Sequence, residues 1–225
     1  MLTKIDDLLL EKMIINMYKP IGLTSFGVVK AVRGIVKEKK VGHGGTLDPF
    51  ADGVLIIGTG ADTKRLSHVT MMDKSYVAKL KLGMTTDTLD VEGKIIIKSK
   101  PPKIPFDGLI KILKDFEGHT YQIPPMYSAK KVNGRRLYKL ARKNITIDRD
   151  PVKIYISKID LIDYQGDEVT FSVTCSKGTY VRVLGSDIAK KAGTHGYLIS
   201  LQRISVGNYE IKDSISIDNL RKSWK

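Results

Sequence analysis

Two stretches of this chain alternate apolar and polar residues with a period of two. Tyr76, Ala78, Leu80 and Leu82 are spaced by Val77, Lys79 and Lys81, and Val169, Phe171, Val173 and Cys175 alternate in the same way. Successive side chains on a strand point to opposite faces, so each stretch reads as a strand with one buried face. Residues 13–17, 54–57, 92–97, 152–162, 179–183 and 197–206 read as further strands. A helix is expected after the Thr24-Ser25 cap, with Val28, Val29, Val32 and Val36 on its core face. Others are expected at 63–69, at 106–116 with Leu109, Ile110 and Leu113 inward, and at 187–192. These elements do not follow a regular βαβ rhythm. The expected fold is therefore α+β, a mixed, mainly antiparallel sheet flanked by helices.

The 225 residues, 42% of them hydrophobic, suffice for one substantial core, or for one domain with an insertion. No apolar run approaches the ~18 residues of a spanning helix. Asp6, Asp7 and Glu11 interrupt Leu8 to Leu10, which argues against a signal peptide. Cys175 is the single cysteine, which excludes an internal disulfide framework and a thiolate zinc cluster. A cytoplasmic protein is expected.

The net charge is +14, from 38 Lys and Arg against 24 Asp and Glu. Such an excess suits a polyanionic partner, though it also suits mere solubility. Its distribution favours the partner. Residues 121–150 hold eight Lys and Arg against two acids, with Tyr121, Tyr127 and Tyr138 interleaved. Leu137, Leu140 and Ala141 give a short helix a thin apolar side there. The segment reads as an insertion that leans on the core and turns its charge outward. Lys130, Lys131, Arg135, Arg136 and Arg142 are the candidate nucleic-acid contacts.

Chemistry is sought in residues 41–53, which carry four glycines and Pro49 around Asp48. An Asp-Pro in a loop is ordinarily a turn. Glycines at this density also let a backbone approach a ligand closely, and the strand that follows holds the loop. The Lys-Ser/Thr pair of a phosphate-binding loop is missing. His43, flanked by glycines, is not expected on a regular core face; it could contact a ligand or cap the loop. His43, His68, His119 and His195 lack metal-ligand spacing, and no metal is expected. Arg182 lies in an apolar stretch and needs a carboxylate partner if buried, for which Asp48 is a candidate.

Several segments together resemble the TruB family of tRNA pseudouridine-55 synthases. They are Tyr18-Lys19-Pro20-Ile21-Gly22-Leu23-Thr24-Ser25, the Asp48 loop, Lys74-Ser75-Tyr76, Gln122-Ile123-Pro124-Pro125-Met126-Tyr127-Ser128-Ala129, Gly134 through Tyr138 to Ala141-Arg142, Cys175 to Arg182, and Leu201-Gln202-Arg203-Ile204-Ser205-Val206-Gly207. They fall in family order over residues 13–207.

The resemblance implies the pseudouridine synthase fold and isomerisation of uridine to pseudouridine in the TΨC loop of tRNA, at position 55, without a cofactor. It makes Asp48 the catalytic carboxylate, either a nucleophile or the base that takes the C2′ proton. Tyr76 would stack on the target base, and Arg182 would pair with Asp48. His43, Tyr180 and Leu201 would line the pocket of the flipped nucleotide, and segment 121–150 would grip RNA phosphates. The T-arm stem-loop is the implied partner, with a monomeric enzyme and no obligate protein partner. Residues 1–12 read as an appendage, 13–207 as the catalytic domain, and 208–225 as a tail too short for the C-terminal PUA domain of most members.

The chain departs from the family at Gly44 (usually Thr), Asp52 (a small or hydroxyl residue), Asn144 (often Gly), Tyr197 (His) and Gln202 (Arg). Two other readings use the same surface: an RNA-binding protein without catalysis, and an isomerase acting on ribosomal or messenger RNA.

Overall fold

The computed structural model describes residues 13–132 and 134–224. The expected appendage over 1–12 lies outside the described residues. In chain order the elements are β1 (Ile14–Lys19), α1 (Ser25–Val36), β2 (Val41–His43), β3 (Asp52–Thr59), α2 (Leu66–Met71), β4 (Lys74–Leu82), β5 (Met84–Thr86), β6 (Ile95–Lys98), α3 (Phe106–Lys114), β7 (Gly118–Gln122), β8 (Lys131–Val132), β9 (Arg135–Arg136), α4 (Leu137–Ala141), β10 (Val152–Gln165), β11 (Glu168–Cys175), α5 (Val181–Lys191), β12 (Gly196–Val206), β13 (Tyr209–Glu210) and α6 (Ile217–Ser223). The chain divides into two compact units, one running to Lys74 and resuming at Gln202, the other spanning Ser75–Leu201.

The first unit is built on β3. It pairs antiparallel with β1, from Ile14↔Gly58 to Lys19↔Gly53, and with β2, from Val41↔Thr59 to His43↔Ile57. The end of β12 lies parallel to it, Gln202 opposite Asp52 and Arg203 opposite Gly53. Every residue of β3 is buried. On one face Leu55 and Ile57 pack with Val28, Val29 and Val32 of α1 and Leu220 of α6. On the other, Val54 and Ile56 pack with Leu66 and Val69 of α2. A strand covered on both faces needs no alternation, which is why this one reads as a plain apolar run. The α1 cap is as expected: Thr24 Oγ1 accepts from Gly27 N at 2.9 Å.

In the second unit the strand order is β12-β4-β11-β10-β7. The β10–β11 and β10–β7 pairs are antiparallel, the former with irregularities between Ile156 and Lys158 and between Leu161 and Asp163. The alternation read in the sequence is reproduced in burial along β4 and β11. Helix α3 lies against β10 and buries Leu109 and Leu113, with Ile110 half-buried. Two short ribbons, β5–β6 and β8–β9, stand apart from the main sheet. The mixed, mainly antiparallel sheet flanked by helices is therefore the observed fold class.

Some expected boundaries are corrected. Residues 179–183 were expected as a strand, but a turn closed by Thr179 Oγ1 on Ser176 O (2.9 Å) leads into α5, which starts at Val181. Val181, Leu184, Ile188 and Ala189 are all buried at helical spacing, so a common buried face overrides the β-branched character of Thr179, Val181 and Val183. The helix expected at 63–69 is a 3-10 turn, Gly60–Arg65, followed by α2. The strand expected at 92–97 covers Ile95–Lys98 and is exposed throughout. His43 ends a regular strand rather than standing in a loop.

Candidate active-site residues

Asp48 lies half-buried in residues 44–51, between β2 and β3. The backbone around it is fixed carbonyl by carbonyl. Arg203 Nη2 donates to Gly45 O (3.2 Å) and Nη1 to Thr46 O (3.3 Å), while Nε holds Val54 O (2.7 Å). Ser25 Oγ donates to Leu47 O (3.0 Å) and accepts from Leu47 N (2.8 Å). Asp48 O accepts from Ala51 N (3.2 Å), and Pro49 O from Gly22 N (2.8 Å) and Lys19 Nζ (3.4 Å). Five consecutive carbonyls, from Gly45 to Pro49, are thus satisfied inside one unit, which leaves this loop little freedom.

Lys19 and Arg203 are both fully buried. Lys19 Nζ also reaches Pro20 O and Leu23 O, so carbonyl dipoles converge on each cation. Gly53 has φ of +108°, and a Cβ there would fall 2.2 Å from Arg203 O; only glycine fits against β12. A Cβ on Gly44 would meet Val69 Cγ1 at 2.6 Å, so a valine occupies the space beside that departure from the family pattern. Asp52, the unexpected second acid, is turned into the sheet: its Oδ2 accepts from Tyr18 Oη (2.5 Å) and Gln202 Nε2 (2.9 Å). His43 is half-buried, and its Nδ1 accepts from Gly45 N at 3.4 Å.

In the second unit Tyr76 sits on the buried face of β4, as the alternation requires. Arg182 is buried in the first turn of α5. Its Nη1 donates to Thr88 O (2.7 Å), its Nη2 to Tyr127 O (2.8 Å), and its Nε lies 3.5 Å from Asp90 Oδ2. Asp90 is itself buried, with Oδ1 accepting from Thr88 Oγ1 (2.6 Å) and Glu92 N (3.0 Å). Between them Leu89 adopts φ of +64°, a left-handed conformation that costs a leucine about 1–2 kcal/mol. Leu89 O accepts from Leu198 N at 3.0 Å, so neighbouring bonds hold the strained turn in place.

Tyr180 caps α5, its backbone bracketed by the Gln122 carboxamide: Oε1 accepts from Tyr180 N (3.0 Å) and Nε2 faces Tyr180 O (3.4 Å). Leu201 is buried. The chain passes between units at Lys74–Ser75 and Leu201–Gln202, so Tyr76 and Leu201 stand at the two crossings in sequence.

The basic segment belongs to the same unit. Its ribbon sets Lys131 opposite Arg136 and Val132 opposite Arg135. Leu137 N donates to Lys130 O (2.9 Å) and Tyr138 N to Ser128 O (3.1 Å), folding the ribbon onto α4. Leu137, Leu140 and Ala141 are buried, as expected, while Lys131, Arg135, Arg136, Lys139, Arg142 and Lys143 are exposed and Lys130 is half-buried. A groove of about 770 Å³ runs between Lys131, Arg135, Arg136, Lys139 and Lys143, with Tyr138 in its wall. The Arg142 guanidinium lies 5.5 Å from the Tyr138 ring centroid. Asn144 follows with φ of +56°, a conformation asparagine tolerates as glycine does. Among the described residues no group of three or more His, Cys, Asp or Glu could hold a metal ion.

Sequence reasoning missed the supports rather than the candidates. Asp90 sits in the run Thr85-Thr86-Asp87-Thr88-Leu89-Asp90, whose hydroxyls and acids signal a turn but name no distant partner. Ser25, Lys19, Gln122 and Arg203 all lie in the quoted motifs, yet nothing local says which backbone each holds.

Residues 33–181 match the family model described as TruB family pseudouridylate synthase (N terminal domain). The chain is 47% identical over 207 residues to a tRNA pseudouridine synthase B of Clostridium kluyveri, covering 92% of this chain and 71% of that protein. It is 44% identical over 209 residues to the tRNA pseudouridine synthase B of Clostridium tetani, covering 93% and 72% respectively. Among solved structures it is similar to one described as a Cbf5-Nop10-Gar1 complex, with a TM-score of 0.77 and 26% identity over 96% of this chain; it spans 55% of that solved chain. It also resembles a chain of an H/ACA RNP bound to a substrate RNA containing 2′-deoxyuridine, with a TM-score of 0.70 and 25% identity over 95% of this chain and 53% of that one.

Proposed function

The chain belongs to the TruB family of pseudouridylate synthases, and on that premise we propose that it isomerises uridine 55 to pseudouridine in the TΨC loop of tRNA, without a cofactor. In this reading the N1–C1′ bond breaks, the uracil turns, a C5–C1′ bond forms, the C5 hydrogen leaves as a proton and N1 takes up a proton, so that the product is an isomer of the substrate. Asp48 is the catalytic carboxylate, attacking the nucleoside or taking the C2′ proton. Tyr76 stacks on the extruded base, and Arg182 pairs with Asp48. His43, Tyr180 and Leu201 line the nucleotide pocket.

The observation that carries the reading is the backbone beneath Asp48, with its five satisfied carbonyls. A carboxylate that must meet one atom of a bound nucleotide gains most from a support that does not move. The second unit offers a matching preparation for Arg182, held through two backbone carbonyls and Asp90. A uridine in a stem-loop has to leave its stack to be reached, and aromatic and apolar side chains then receive it.

Lys130, Lys131, Arg135, Arg136 and Arg142 take the phosphates. Lys131 directly opposite Arg136 is a like-charge pair that weakens a bare ribbon, and an anion between them would relieve it. In this reading the enzyme acts as a cytoplasmic monomer on the T-arm, with no obligate protein partner.

The experiment is tritium release from tRNA labelled at uridine C5. Turnover by the wild-type chain, lost in Asp48→Asn with tRNA binding retained, is the expected result. Undiminished turnover in Asp48→Asn would sink the assignment of Asp48. RNA binding without any release by the wild type would favour a non-catalytic RNA-binding protein.

A further inference from the structure

We propose that Asp52 is a positioning residue for Asp48, holding the end of the Asp48 loop through Tyr18 and Gln202. The inference rests on the role given to Asp48 above.

Asp52 occupies the last rung of the sheet before the loop. On one side the β1 ladder ends at Lys19↔Gly53; on the other the β12 ladder meets β3 at Gln202↔Asp52. Among the described residues, no strand partner sets the backbone beyond Asp52 until His43 on the far side of the loop. One closed turn, Ala51 N to Asp48 O, separates the two aspartates, so a shift of residue 52 passes directly to residue 48.

Asp52 is 8% exposed, and a carboxylate so far removed from water requires donors. It finds them on two different strands. Tyr18 Oη of β1 donates at 2.5 Å and Gln202 Nε2 of β12 at 2.9 Å, both to Oδ2. A single carboxylate oxygen therefore ties β1, β3 and β12 at the loop's root. Hydrogen bonds to an ionised acceptor are shorter and stronger than neutral ones, which suits a fixing role. The bond to Asp52, followed by burial and the Asp52 charge, pushes the Tyr18 hydroxyl up to about 12, so Tyr18 remains a donor at any ordinary assay pH. Arg203, one residue beyond Gln202, holds Gly45 O and Thr46 O. The two ends of the loop are thus set by adjacent residues of one strand.

The test compares wild type, Asp52→Ala, Asp52→Asn, Tyr18→Phe and the Tyr18→Phe/Asp52→Ala double variant as full chains, by steady-state tritium release and by tRNA binding. Asp52→Ala is expected to lower kcat by about ten- to a hundredfold with KM for tRNA within about twofold, because only the reacting geometry is disturbed. Asp52→Asn keeps an oxygen that accepts from both donors and is expected to recover most of kcat. Tyr18→Phe, a deletion of one hydroxyl, is expected to lower kcat by a smaller factor and to add little in the Asp52→Ala background.

An unchanged kcat in both Asp52→Ala and Tyr18→Phe overturns the inference. So does a loss of kcat that only follows a loss of folded protein in thermal melts. If Asp52→Ala does not fold, Tyr18→Phe still decides, since it removes only a hydroxyl: a lowered kcat with KM unchanged supports the inference and an unchanged kcat overturns it. Wild-type turnover separates the two levels: an active wild type with indifferent Asp52 variants removes this inference alone, whereas an inactive wild type removes the role of Asp48 and this inference with it.

Discussion

The hydroxyl of Ser25 brackets the backbone of Leu47, accepting from its N–H at 2.8 Å and donating to its carbonyl at 3.0 Å. Both residues are buried, so no solvent stands ready to replace these bonds. Leu47 immediately precedes Asp48, and Ser25 opens α1. Helix α1 thereby sets the peptide that leads into Asp48, the proposed catalytic carboxylate.

Ser25→Ala removes the donor and acceptor at once and leaves two buried polar groups unpaired. A loss of about 1–3 kcal/mol is expected. In a chain of this size each kcal/mol lowers Tm by about 2–4 °C. Thermal melts by circular dichroism check the first effect. A fall in kcat larger than any rise in KM, read by tritium release, checks the second. Unchanged melting and turnover would show that the bracket contributes nothing.

Asp90→Asn tests the support of Arg182. The amide still offers an oxygen to Thr88 Oγ1 and Glu92 N, but the negative charge beside the guanidinium is gone. Hydrogen bonds to charged groups contribute about 1.5–3 kcal/mol, which corresponds to a loss of kcat of roughly ten- to a hundredfold if Arg182 acts in the reaction. Binding of tRNA should change little. Equal losses of binding and turnover would instead assign Asp90 to folding of the second unit.

The basic groove makes its own prediction. Changing Lys130, Lys131, Arg135 and Arg136 together to Gln should raise KM while leaving kcat nearly unchanged. The slope of log affinity against log salt should flatten by about one for each phosphate that is no longer neutralised. An unaltered slope would mean that these side chains form only a solvated face.

Much of the fold was legible because its signals are local. The alternations along β4 and β11 report a half-buried strand whatever packs on them. Thr24 announces a helix because its hydroxyl meets a backbone N–H three residues on. The start of α5 runs against its local signals for the same reason in reverse. Thr179, Val181 and Val183 favour a strand by local preference, and only the buried face that Val181 shares with Leu184 and Ile188 winds the chain into a helix from Val181 onward.

The glycines of 41–53, and Asp48 among them, mark a loop of special backbone in the sequence alone, because glycine's permitted angles are a property of the residue itself. What keeps that loop rigid is a different matter. Arg203 lies 157 residues from Thr46, and Gln202 lies 150 residues from Asp52. No spacing rule connects such positions, since a hydrogen bond between them exists only after β12 has been laid parallel to β3. The sequence by itself determined which residue types and which backbone freedom this protein has, because those are chemical properties of each position. The tertiary structure decided which buried cation, hydroxyl or carboxylate holds which peptide, because directional bonds of about 3 Å depend on where distant strands come to rest.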